Sequence, residues 1–278
     1  MVISEREWDD ILRRLRENDL TLTILYLRMQ NIGDENIKVL ADALKVNHTL
    51  EVLYVSKNQI GVKGVKALAE ALKVNRTLTE LYVSENQYGV EGLEALTEML
   101  KVNCTLKVLD VSDNLIGDQG AKALTEMLEV NCTLMKLDVC NNQIGDEGAK
   151  AFVDVLEVNL DVYSNQIGDE GPKALADVLK VNCTLTRLDV RWNNIGDDLN
   201  TELEYLMSQE QRKQRLLKVE NIGAKELEIT LVLLDKVRVS EIDILKDIYK
   251  ICCEDKKFLK RLVSKWNLKL RFFLNIYI

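Results

Sequence analysis

One string, Leu-x-x-Leu-x-Val-x-x-Asn-x-Ile-Gly, recurs along the chain and limits what it can fold into. Copies begin at Leu50, Leu78, Leu106, Leu134 and Leu185, with Tyr88 in the Ile slot of the second of these. A first copy begins at Leu22 and carries Gln30 in the Asn slot. The slots at Gln30, Asn58, Asn86, Asn114 and Asn142 are 28 residues apart; Asn165 follows after 23, and Asn193 after a further 28. A unit this short cannot bury its own apolar face, but stacked units can, and the result is a solenoid. One proline and 5% aromatics in 278 residues also argue against a sandwich rich in proline turns.

Each copy has two phases. Leu53-x-Val55 alternates, as a short strand does. Ile-Gly-Asp or Ile-Gly-Val then makes a turn and a helix start. Asp34, Asp118, Asp146, Asp169 and Asp197 sit where an N-cap acceptor belongs. In the helical stretch that follows, Val65, Leu68 and Leu72 share one face. Asn47, Asn75, Asn103, Asn131, Asn159 and Asn182 close these helices, a place for the left-handed cap conformation. Pro172 lies in a first turn, where its missing N–H costs little. The expected fold is an α/β solenoid, a horseshoe with an inner parallel sheet and outer helices.

The extended motif, LxxLxVxxNxIG followed by ALxxxLKVN, covers roughly Leu20 to Met207. It resembles the ribonuclease-inhibitor-like class of leucine-rich repeats, the class found in the sensor regions of NOD-like receptors and in the GTPase activator of Ran. That resemblance implies macromolecular binding rather than catalysis. The sixth copy departs from the pattern. After Val158-Asn159 the chain goes straight to Leu160-Asp161-Val162, and the residues that match Cys132 to Lys136 are missing. The sixth strand is expected to survive, with the preceding helix ending early or the loop drawn tight.

Three segments follow: a capping helix in 1–19, with Trp8, Ile11, Leu12 and Leu15 on one face; seven repeats in 20–207; and a helical, basic extension in 208–278. The net charge of −8 hides their difference: residues 1–207 carry −14 and residues 208–278 carry +6. An acidic body repels a phosphate backbone, so nucleic acid is not an expected partner. The N-terminus shows no secretory signal pattern, and no run reaches the length of a spanning helix. The expected location is the cytoplasm, with reduced cysteines.

The slot between the two core residues of each strand faces inward. It reads Tyr26, Tyr54, Tyr82, Asp110, Asp138, Asp161, Asp189. At about 4.8 Å per strand this makes a ladder of roughly 29 Å. Tyrosine offers contact area with a polar tip, and an aspartate row attracts basic groups. Two positions on, the row reads Arg28, Ser56, Ser84, Ser112, Cys140, Tyr163, Arg191. Arg187, Arg191 and Trp192 gather at its end, and Arg and Trp are frequent hot-spot residues. Tyr and Asp in this slot are also plain repeat residues.

Other features are weaker. The Asn-x-Thr triplets at Asn47, Asn75, Asn103, Asn131 and Asn182 coincide with the helix-closing asparagines, which explains them without glycosylation. Cys104, Cys132 and Cys183 share a slot with His48 and Arg76, so they follow the repeat rather than metal-site spacing, and buried or half-buried thiols are expected. Cys252-Cys253-Glu254-Asp255 resembles the nucleophile motif of bacterial ubiquitin ligases joined to such repeats, but the tail is too short for that domain. With one histidine, and no phosphate loop or dinucleotide fingerprint, no metal, cofactor or catalytic set is expected. Lys256–Ile278 holds seven Lys+Arg and no acid, with Phe258, Leu262, Trp266, Leu270 and Phe273 at helical spacing. That stripe is expected to pack on the last repeat or on the other tail helices, or to make a weak contact with an anionic membrane surface.

The expectation is a non-enzymatic module that binds a protein on the concave face. The similarity of the repeats fits recent duplication, which leaves open a host-directed effector acting in host cytoplasm. A small-GTPase regulator of the activating type and a membrane-peripheral scaffold acting through the C-terminal tail stay open as alternatives.

Overall fold

The computed structural model describes residues 2–156, 158–180, 185 and 187–208. Asn182, Cys183, the Cys252–Asp255 string and the basic stripe of Lys256–Ile278 lie outside the described residues.

The chain opens with α1 (Glu5–Arg16), held at its start by a capping box in which Ser4 and Glu7 bond each other's backbone. Trp8, Leu12 and Leu15 are buried there, and Ile11 is half-buried. Strands and helices then alternate: β1 (Ile24–Tyr26), α2 (Asp34–Leu44), β2 (Val52–Tyr54), α3 (Val62–Leu72), β3 (Glu80–Tyr82), α4 (Gly89–Leu100), β4 (Val108–Asp110) and α5 (Gly117–Leu128). After them come β5 (Lys136–Asp138), α6 (Asp146–Phe152), a 3-10 turn (Val153–Val155), β6 (Asn159–Asp161), α7 (Glu170–Leu179), β7 (Leu188–Asp189) and α8 (Asp197–Met207).

The strands form one parallel sheet in chain order, each residue opposite its counterpart one repeat on. Parallel strands stand about 4.8 Å apart, whereas packed helices need 8–10 Å. The stack of repeats therefore curves toward the sheet side, which becomes the inner face. Between the layers lies a continuous core of Leu, Val, Ile and Ala from every repeat. Among the described residues, no helix is long and apolar enough to cross a membrane.

Two rows of asparagine tie the repeats together. Asn58 Oδ1 accepts from the Gln30 and Ile32 amides of the previous repeat at 2.9 and 3.0 Å. Its Nδ2 donates to the Leu27 and Val55 carbonyls. Asn86, Asn114, Asn142, Asn165 and Asn193 repeat this bridge. The second row corrects an expectation. Asn47, Asn75, Asn103 and Asn131 are not in the left-handed region. Each side chain instead donates to the helix-end carbonyl of the previous repeat (Leu15, Leu44, Leu72, Leu100) at 2.7–2.8 Å. Each also accepts from its own amides two and three residues on, as Asn75 does from Thr77 and Leu78. These four side-chain amides are buried or half-buried and engaged on both sides, which accounts for their sequons.

The helix-start aspartates need a second correction. Asp34, Asp146 and Asp197 are the first residues of their helices, Asp118 the second of its own and Asp169 an N-cap, but none caps its own helix through its side chain. Asp118 does not even open α5, which begins at Gly117 and has Asp118 as its second residue. The carboxylates of the first four in chain order reach forward one repeat. Asp34 accepts from the Gly61 and Gly64 amides at 2.7 and 2.9 Å, and Asp118 from Gly145 and Gly148 at the same distances. Asp146 binds the Gly171 amide and Asp169 the Gly196 amide, both at 2.8 Å. Where valine replaces this aspartate, at Val62 and Val90, the glycine one repeat on is left-handed: Gly89 at φ 54° and Gly117 at φ 55°.

The missing residues of the sixth copy act as expected in part. The strand β6 survives, and α6 shrinks to seven residues before the 3-10 turn. Asn159, however, closes no helix. It lies in β6 opposite Lys136, because the turn that should separate helix from strand is the part removed.

Candidate functional site

The inner row is brought together as its spacing requires. Tyr26, Tyr54, Tyr82, Asp110, Asp138, Asp161 and Asp189 stand in register across β1–β7. The three tyrosine rings stack, with centroids 4.8 and 4.3 Å apart and planes within 9° and 13°. Strand spacing imposes this parallel arrangement on rings that otherwise prefer offset or edge-to-face contact. Tyr26, at the open edge, is 68% exposed. Tyr82 Oη donates to Glu80 Oε2 at 2.8 Å; burial, then the Glu80 carboxylate, push this phenol well above its ordinary pKa.

The aspartates carry a local duty as well. Each accepts from the backbone amide two residues on: Asp110 from Ser112, Asp138 from Cys140, Asp161 from Tyr163 and Asp189 from Arg191, at 3.0–3.4 Å. This bond turns the chain out of the strand, as Asx turns do. The turn is completed by a left-handed residue at one slot of every repeat: Met29, Lys57, Glu85, Asp113, Asn141, Ser164 and Trp192. Only Asp113 and Asn141 are types that enter this region readily. The sequence carries no signal for the other five.

The four aspartates then divide. Arg191 grips Asp189 through Nε at 2.9 Å and its terminal nitrogen at 2.5 Å, and holds that carboxyl below the ordinary carboxylate range. Arg187 reaches Asp161 at 3.3 Å and Asp189 at 3.9 Å. Asp110 meets neutral partners: the Ser84 hydroxyl at 2.9 Å and the Ser112 hydroxyl at 2.6 Å. The Ser84 hydroxyl also lies 2.9 Å from that of Ser56, so the second row is a hydroxyl chain beside the carboxylates. Burial first, with Asp110 and Asp161 adding to it, pushes the Asp138 carboxyl up. At the other end Glu85 is taken by Arg28 at 2.6 Å and Lys57 at 3.1 Å. Sequence spacing alone missed this cluster, because its members lie in different rows.

Asp138, Cys140 and Asp161 bring one ligand-type atom each within 4.8 Å of one another. The Cys140 thiol donates to Asp161 at 2.9 Å, and burial, then the two carboxylates, push it strongly up. Cys104 and Cys132, expected to be buried or half-buried, are exposed, because their slot falls in the surface turn between helix and strand. Trp192 is 77% exposed beside Tyr163, their rings 6.3 Å apart, and the Arg191 guanidinium lies 6.0 Å from the Tyr163 ring.

A family model described as "Leucine Rich repeat" matches residues 46–69, 74–96, 102–124, 130–153, 159–176 and 181–198. No curated protein matches the chain. Among solved structures, the chain is similar to "Leiomodin-1 Actin-Binding Site 2 (ABS2)", at 17% identity over 81% of this chain and 99% of that one, TM-score 0.37. It is also similar to the tropomodulin C-terminal domain of Caenorhabditis elegans, at 14% identity over 78% and 99%, TM-score 0.42.

Proposed function

The chain belongs to the leucine-rich repeat family, and from that premise we propose that it is a protein-binding module whose inner sheet face is the docking surface. One observation carries this: seven in-register strands line up tyrosine and carboxylate side chains, with Tyr26 exposed and Tyr54, Tyr82, Asp110 and Asp138 half-buried. Repeat solenoids use such faces for recognition. Tyr26 and Trp192, large and exposed at its two ends, are residue types enriched at interfaces. Affinity capture with the wild type and with Tyr54→Ala/Tyr82→Ala/Asp110→Ala tests the proposal. Partners of the wild type should be lost from the triple variant. Unchanged recovery by a folded triple variant moves the site off this face.

A further inference from the structure

Resting on that inner-face reading, we propose that the occupant is an extended cationic segment of a partner protein. Its Lys or Arg side chains meet Asp110 and Asp138, and an apolar or aromatic side chain lies against the Tyr54–Tyr82 stack.

The charges on the face support this chemistry. Its two ends are internally neutralised, by Arg187 and Arg191 on Asp161 and Asp189, and by Arg28 and Lys57 on Glu85. Among the described residues, no ion pair reaches Asp110, Asp113 or Asp138. Lys136 stands in the adjoining row of β5 and pairs with none of the three. Negative charge is therefore left over in the middle of the face and nowhere else along the aspartate row. These carboxyls also feel one another: Asp113 and Asp138 are both pushed up, by burial first and then in part by Asp110. A cation in that place relieves the repulsion and replaces the water that the half-buried carboxylates have lost.

The shape of the patch selects a segment of chain over a single ion. Asp110 and Asp138 are spread along the ladder, and each has an oxygen committed to a backbone amide. The Ser84 and Ser112 hydroxyls bond Asp110 and fix the position of its carboxylate. The aromatic contact next to Asp110 is the Tyr54–Tyr82 stack. Tyr54 is two strands from Asp110, about 9.6 Å at parallel-strand spacing. An extended chain advances about 3.3 Å per residue, so the residue on the tyrosines and the first cation fall about three positions apart.

A random dodecapeptide phage library panned on the immobilised full chain tests this. Enriched peptides should be rich in Lys and Arg, with an aromatic or large apolar residue about three positions from the first cation. Synthetic, fluorescein-labelled peptides from that pool should then bind Asp110→Asn/Asp138→Asn about tenfold more weakly than wild type by anisotropy. Asp189→Asn/Arg191→Gln, which removes an ion pair and leaves the net charge of the face unchanged, should change affinity by less than about threefold. Asparagine keeps the acceptor for the Ser112 and Cys140 amides, and circular dichroism checks that both variants fold. Neutral or acidic peptides, equal binding to the Asp110/Asp138 variant, or no enrichment overturns the proposal. Loss of partners by the triple alanine variant together with such a result would retain the inner face and reject only its cationic occupant.

Discussion

Asp138 and Asp189 occupy the same slot of the same sheet, and each bonds the amide two residues on. Their surroundings give them opposite characters. Arg191 closes on Asp189, while Asp138 faces only neutral donors and other carboxylates. A repeat fixes where a side chain stands. The residues that differ between repeats decide what that side chain can do there. The helix starts show the same contrast. Gly61 binds the carboxylate of Asp34 in the repeat before it, whereas Gly89, preceded by Val62, turns left-handed instead.

The frame that both aspartates share gives the largest expected effect. Asn114→Ala and Asn165→Ala should each cost about 2–4 kcal/mol, because several buried backbone groups lose a partner at once. Urea unfolding checks this. A large loss at one position only would mean the two halves do not share a frame. Next comes the helix-start contrast. Gly89→Ala should cost about 1–2 kcal/mol, the price of placing a Cβ in the left-handed region. Val62→Asp should soften that cost by supplying the missing carboxylate. An additive result in the four-way comparison would disconnect the valine from the glycine's conformation.

Tyr88 sharpens the comparison from inside the core. It stands where other repeats have isoleucine, and its hydroxyl is buried without a partner. Tyr88→Phe should raise stability by about 1 kcal/mol. A loss on thermal or chemical unfolding would show that the hydroxyl is bonded.

The smallest effect separates the aspartates themselves. Asp189→Asn should cost about 0.5–1 kcal/mol, the scale of an ion pair with an exposed arginine. Asp138→Asn should be neutral or stabilising at neutral pH. Their pH dependences have opposite signs. Asp138, raised in the folded state, opposes folding above its folded value, and the opposition fades as pH falls through that value. Asp189, lowered, adds stability above the ordinary carboxylate range and loses it as pH falls through its own lower value. Carboxyl-detected NMR titration reads both; two matching curves would erase the distinction.

The sequence pattern placed the strands, the sheet order and every residue of the inner row, because period and alternation are direct consequences of stacking. It also showed that the sixth strand survives its deletion. It could not show which aspartates are neutralised, since Arg187 reaches across to Asp161 and Arg28 across to Glu85, two repeats away. It assigned Asp34 and its counterparts to their own helices because capping rules are local, whereas these carboxylates serve the neighbouring unit. It placed Asn159 at a helix end because Val-Asn matches the motif, but the missing residues had moved that pair into a strand.

Site-specific photocrosslinking tests the docking face most directly. A benzoyl-phenylalanine replaces Tyr54 on the inner face in one sample, and exposed Glu70 on the outer helix α3 in another. Both samples are irradiated with a partner recovered by the wild type. Adducts are expected from position 54 and none from position 70. Adducts from position 70 alone would contradict it.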